Sequence, residues 1–157
     1  MEPGRLDGDG SELIAAFDSV VRANASVVTQ VSARAGIHER ALRALTLISD
    51  TGYSTPTEVA GYLGLTSGAV TNMVDRLSAA GFVERQRNPN DRRGSHLVLS
   101  DAGTTLVAEV RQRYADVLRT VDGTGSEDLL HALSDIANGL LQQAAAISAP
   151  KDTDVDR

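Results

Sequence analysis

Asp91, Arg92 and Arg93 stand together in NPNDRRGSHLVLSDAG, residues 88–103, among turn-forming residues and with no apolar neighbour. Arginine joins charge, reach and a planar fork of donors, which suits phosphate or a narrow, electronegative groove. Asp91 lies two residues from Arg93 and can hold it by a salt bridge. The plainer reading is a solvated loop tip, whose surface pairs add little stability. Upstream, Thr66, Ser67, Gly68, Thr71, Asn72 and Arg76 supply hydroxyls, an amide and a guanidinium in one short stretch. Hydroxyls and amides bond phosphates and base edges, and small residues let a backbone approach closely. As ordinary solvated helix positions they would need no function. Arg85 and Arg87 complete the set.

The distribution of charge supports the sharper reading. The chain has a net charge of −6, yet residues 76–99 carry five arginines against Glu84 and Asp91, a local +3. The flanks, 1–75 and 100–157, carry −4 and −5. Positive charge is confined to one block, and its placement matters more than the total.

The elements that must position these residues follow from periodicity and punctuation. Residues 1–10 are Gly- and Asp-rich and read as a disordered tail, as do the polar residues 148–157. A helix is expected from Ser11 to about Arg34, and another from His38 to Ser49. Thr55, Pro56 and Glu58 form a capping box with proline in the first turn, opening a short helix that ends at Gly64. Thr66 caps the next helix. Its Val70, Met73, Val74 and Leu77 fall at i, i+3, i+4 and i+7, and Gly81 stands at its C-terminal cap. Facing away from that apolar stripe are Gly68, Asn72, Asp75 and Ala79, and Asp75 is read as a partner for a neighbouring arginine, because it would repel phosphate. Two helices joined by a short turn containing glycine make a helix-turn-helix. Residues 82–87 and 95–99 read as a hairpin around the turn cluster 88–91. Ser100 caps a long helix to about Val121, DGTGSED breaks it, and Ser126 caps a last helix with a wide apolar stripe.

The fold expected is mostly α with a small β-hairpin: a winged helix-turn-helix over about 38–99 plus helical dimerisation regions over about 11–34 and 100–147. Residues 45–103 resemble the multiple-antibiotic-resistance regulator (MarR) family of bacterial transcription factors. The most specific match is the wing pattern Asp-x-Arg, five residues, Leu-Thr/Ser, met by Asp91, Arg93, Leu99 and Ser100. Val70-Thr71, Val74-Asp75-Arg76-Leu77, Gly81-Phe82-Val83 and Asp101-Ala102-Gly103 also fit. The resemblance implies a single domain over 11–147 and a ligand-responsive repressor. It would act as a homodimer, with two recognition helices in successive major grooves of a pseudopalindromic double-stranded operator. It implies DNA contacts at Thr66, Ser67, Gly68, Thr71, Asn72, Arg76, Arg85, Arg87, Arg92 and Arg93. Which of Arg92 and Arg93 enters the minor groove stays open. Many relatives carry a basic residue where Asn72 stands, which points to a weaker affinity or a different base preference here. A small-molecule effector would sit between the dimer helices and the winged region, at residues the sequence does not name.

Other classes find less support. With no cysteine there is no disulfide, thiolate site or cysteine nucleophile. His38, His96 and His131 lack paired-ligand spacing, so neither metal nor cofactor is expected. No phosphate loop, nucleophile elbow or zinc-protease motif occurs, and no enzymatic activity is expected. No apolar run approaches the ~20 residues of a membrane span. The N-terminus lacks a signal pattern, so a cytoplasmic protein is expected. The competing reading is an interaction or ligand-sequestering module with a degenerate DNA-binding face, motivated by the −6 charge and by Asn72.

Overall fold

The computed structural model describes residues 10–88, 91–121 and 126–148; the side chains of Asn88, Asp91–Gly94 and Ser126 lie outside that description. The first helix, α1 (Gly10–Ala35), stops where Gly36 takes a left-handed φ of 67°. The chain turns there through Ile37 N–H to the Ser32 carbonyl, 3.0 Å. It re-enters helix at α2 (Glu39–Thr51). His38 is outside α2 rather than its first residue: its Nδ1 accepts the Arg40 N–H at 3.1 Å, so the side chain serves as the N-cap.

The capping box opens α3 (Pro56–Leu63) as its sequence requires. Thr55 Oγ1 accepts the Glu58 N–H at 3.2 Å, and Glu58 Oε2 accepts the Thr55 N–H at 2.6 Å. Gly64, at φ 62°, closes α3 in the left-handed conformation. Hydrogen bonds from the Thr55 backbone and hydroxyl hold the Glu58 carboxyl below its usual value of 4.5. A lowered folded pKa means stability that is complete above the unfolded value and lost as pH falls through the folded one. Thr55→Ala is therefore expected to cost about 1 kcal/mol at neutral pH. That difference from wild type should shrink on acidification below about pH 4, read by urea melts at several pH values. A constant difference down to pH 2 would remove the carboxylate from the account.

Next come α4 (Ser67–Ala79), β1 (Val83–Asn88) and β2 (Asp91–Leu99), the strands pairing antiparallel. The hairpin is longer than its sequence suggested: β2 begins at Asp91, not Ser95. Asn88 pairs with Asp91 whereas Arg87 pairs with Ser95, so Arg92, Arg93 and Gly94 form an irregularity in the register. Such bulges re-aim a strand near its end, and no alternating apolar pattern marks one beforehand. Pro89 and Asn90, from the expected turn, lie outside the described residues. Ser54 adds an isolated bridge to Leu97, with bonds of 3.0 and 2.7 Å, which gives β2 a partner on its other edge.

The long helix α5 (Asp101–Leu118) starts as expected: Ser100 Oγ accepts the Gly103 N–H at 3.1 Å and donates to the Gly81 carbonyl at 2.5 Å. It ends at Leu118 rather than Val121, in a turn closed by Thr120 and Val121 N–H. The last helix is α6 (Ser126–Ser148). The expected break falls partly on residues 122–125, and the expected tails on 1–9 and 149–157, outside the described residues.

The chain divides into two compact units, one up to Tyr114 and one from Ala115 on. In the first, Val31, Leu42, Leu45, Ile48, Val59, Val70, Val74, Leu77, Leu97 and Val107 form a continuous buried core. Every element from α1 to α5 contributes to it, the charged β1 through Val83 alone. Glu109 on α5 receives Arg113 at 2.7 Å and also Arg34 of α1, which ties those helices together at the surface. No described helix is long and apolar enough to cross a membrane.

Candidate nucleic-acid interface

The helix-turn-helix is α3, the turn Gly64–Thr66, and α4. Thr66 Oγ1 accepts the Ala69 N–H at 3.3 Å and fixes where α4 begins. Val70, Val74 and Leu77 are at most 2% exposed, which fixes how α4 is rolled. With about 100° between successive residues, the opposite face is then set. Thr66, Ser67, Gly68, Thr71, Asn72, Asp75 and Arg76 are all exposed. Thr71 spends its hydroxyl hydrogen on the Ser67 carbonyl, 2.9 Å, leaving its oxygen lone pair for a donor outside.

The hairpin flanks one side of this face. Arg85 Nη2 donates to Asp75 Oδ1 at 2.7 Å, so Asp75 has the arginine partner its position called for. Both side chains are well exposed, and the pair is worth at most about 1 kcal/mol. Its larger effect is positional: it fastens β1 to the Thr71–Asp75 side of α4 and occupies part of Arg85. Arg87, two residues on, is exposed and has no carboxylate partner among the described residues. The side chains of Asp91, Arg92 and Arg93 lie outside the described residues, so the expected Asp91–Arg93 bridge does too.

Two residues join this surface without having been singled out for it. His38 and Arg40, at the start of α2, line one cavity of about 370 Å³ with Asn72, Met73, Arg76 and Leu77. They are more than thirty residues from Asn72 in the chain, and no local pattern announces that meeting. The remaining histidines are otherwise engaged or exposed: His96 stacks on Tyr53 with ring centroids 4.3 Å apart, and His131 is on the exposed surface of α6. Among the described residues no cluster of three or more His, Asp or Glu could hold a metal ion.

The MarR family model matches residues 37–95, which takes in the α2–α4 region, β1 and the start of β2. The multiple antibiotic resistance protein MarR of Salmonella typhimurium is 40% identical over 62 residues, 40% of this chain and 43% of that protein. The transcriptional repressor MprA of Escherichia coli is 38% identical over 77 residues, 48% of this chain and 44% of that protein. The chain thus spans less than half the length of these relatives. The solved structure of Streptococcus pneumoniae FabT in complex with DNA shares the fold, with a TM-score of 0.64 and 24% identity. That likeness covers 88% of this chain and 99% of the FabT chain.

Proposed function

We propose, on the match of residues 37–95 to the MarR family model and the likeness to the regulator MarR, that the chain is a sequence-specific, double-stranded-DNA-binding repressor. The observation that carries this reading is the roll of α4: its apolar stripe is buried and every candidate contact from Thr66 to Arg76 faces solvent. A helix presented this way fits a major groove about 12 Å wide. The hairpin, with Arg87 and the tip Arg92–Arg93, reaches the backbone or minor groove beside it. MprA is by name a repressor, and FabT was solved with DNA. Such a role requires the cytoplasm.

The active form is a homodimer. In α1, Leu13 and Ile14 are 63% and 56% exposed; in α6, Leu141 and Ile147 are 69% and 83% exposed. Apolar surface on this scale signals a missing partner, and a second copy supplies two reading heads about 34 Å apart on a pseudopalindrome. A small-molecule effector fits a cavity of about 230 Å³ among α1, α2, α3 and α5, where Asn24, Arg43, Tyr62 and Tyr114 offer polar contacts.

The test is titration of the purified chain against its own upstream intergenic DNA and a scrambled duplex. Salt-sensitive binding with preference for the natural sequence is expected. Arg93→Ala should weaken that binding at least tenfold while leaving the dimer intact by size-exclusion chromatography. An interaction or ligand-sequestering module, favoured by the engagement of Arg85 with Asp75, would bind small aromatic acids and no duplex. Full binding by the Arg93→Ala chain would sink the wing assignment.

A further inference from the structure

Arginines in the first unit differ in what they hold. Those holding the framework are paired with carboxylates: Arg34 and Arg113 with Glu109, and Arg111 with Asp50. Arg40 and Arg76 have no carboxylate partner among the described residues, yet they line one cavity with Asn72. Buried Ala41 and Leu77 form its base, and exposed Arg40, Asn72 and Arg76 form its rim. Two cations without a carboxylate among the described residues, Arg76 one turn on from Asn72 and Arg40 across the cavity from it, describe a site short of a negative group.

The position of this site on α4 identifies the group. Taking Asn72 as outward, about 100° per residue places Arg76 and Met73 on one flank and Thr71 and Asp75 on the other. The Asp75–Arg85 pair fastens the hairpin to the second flank. The start of α2 occupies the first. A helix in a major groove has a phosphodiester backbone on each side. The hairpin serves one strand, and on the other flank only Arg76 has been assigned so far.

We propose that Arg40, with Arg76 and His38, forms a phosphate clamp for the second strand, on the flank of α4 opposite the wing. His38 is suited to this because its Nδ1 is engaged as the α2 cap, so the neutral ring carries its hydrogen on Nε2 and can donate it. The left-handed Gly36 turn brings these two residues to α4. The clamp grips backbone and carries no sequence information, so it sets affinity and register rather than base choice. This inference rests on the DNA-binding reading above.

The test measures Kd against salt concentration for wild type, Arg40→Gln, Arg40→Lys and Arg93→Ala, each in the full chain. The probes are the duplex that wild type selects from a random library and a scrambled duplex of equal length. Arg40→Gln is expected to weaken both duplexes roughly three- to tenfold and to lower the slope of log K against log salt by about one per protomer. Arg40→Lys should restore most of the affinity and slope, as a point charge does at a phosphate and a packing role does not. Unchanged affinity and slope in Arg40→Gln, with Arg93→Ala impaired, would overturn the clamp and leave the regulator standing. Loss confined to the selected duplex would make Arg40 a base contact and likewise overturn it. If wild type selects no duplex, the DNA-binding reading itself fails and the clamp fails with it.

Discussion

Gly103→Ala is expected to destabilise the fold by about 3 kcal/mol, the upper end of what overpacking costs. Alanine in the interior of a helix is ordinarily favoured over glycine by about 1 kcal/mol, so the sign of the result is informative. A Cβ at this position would sit 2.2 Å from the Phe82 carbonyl oxygen and 3.1 Å from its carbon. The clashing atoms are backbone, and the nearest side-chain atom, Leu99 Cδ2, stands at an ordinary contact distance of 3.4 Å. Phe82 is held at both backbone ends: its N–H donates to Leu77 O at 2.9 Å and its carbonyl accepts the Ser100 N–H at 3.1 Å. To admit a methyl group, α5 must back away from the β1 side or those bonds must break. At roughly 2–4 °C per kcal/mol for a chain of this size, the midpoint should fall by about 6–12 °C in a thermal melt. A melt at or above the wild-type midpoint would show that the close approach is absent in solution.

Leu97→Ala is expected to cost about 3 kcal/mol by loss of burial and by the cavity left behind. Leu97 is fully buried. It is also where the hairpin meets the helices, since its backbone exchanges both hydrogen bonds with Ser54 while pairing with Arg85 on β1. The loss should therefore be local as well as global. Hydrogen exchange at the Ser54 and Leu97 amides should accelerate more than at Val74, deep in α4. A denaturant midpoint within about 0.5 kcal/mol of wild type, a shift typical of surface sites, would mean that the hairpin is not anchored through this side chain.

Both predictions concern contacts between elements, and these are what local pattern does not carry. The Thr55–Glu58 box, the Gly64 and Gly81 stops and the Val70–Leu77 stripe were legible because helix caps and amphipathic faces are written within four residues. The Asp75–Arg85 pair was legible in part: a carboxylate on a face read as a phosphate contact asks for a cation, though not for a particular one. The extension of β2 back to Asp91 was hidden by DRRG, which has no apolar alternation to read. His38 could pass for the first residue of α2, because a capping side chain and a helical one differ in backbone angles, not in composition.

Taken alone, the sequence determined which stretches become helix, where they stop, and that positive charge gathers between residues 76 and 99. Those properties depend on short-range sterics, capping and the period of the apolar residues, so a single chain suffices to state them. Tertiary structure decided which flank of α4 receives the wing, that Arg40 comes to the other, and that α5 starts against the Phe82 carbonyl. The reason is physical: these depend on how buried surfaces of distant segments fit, and a close-packed core admits few such arrangements. None of those fits is encoded in any one of the segments that meet.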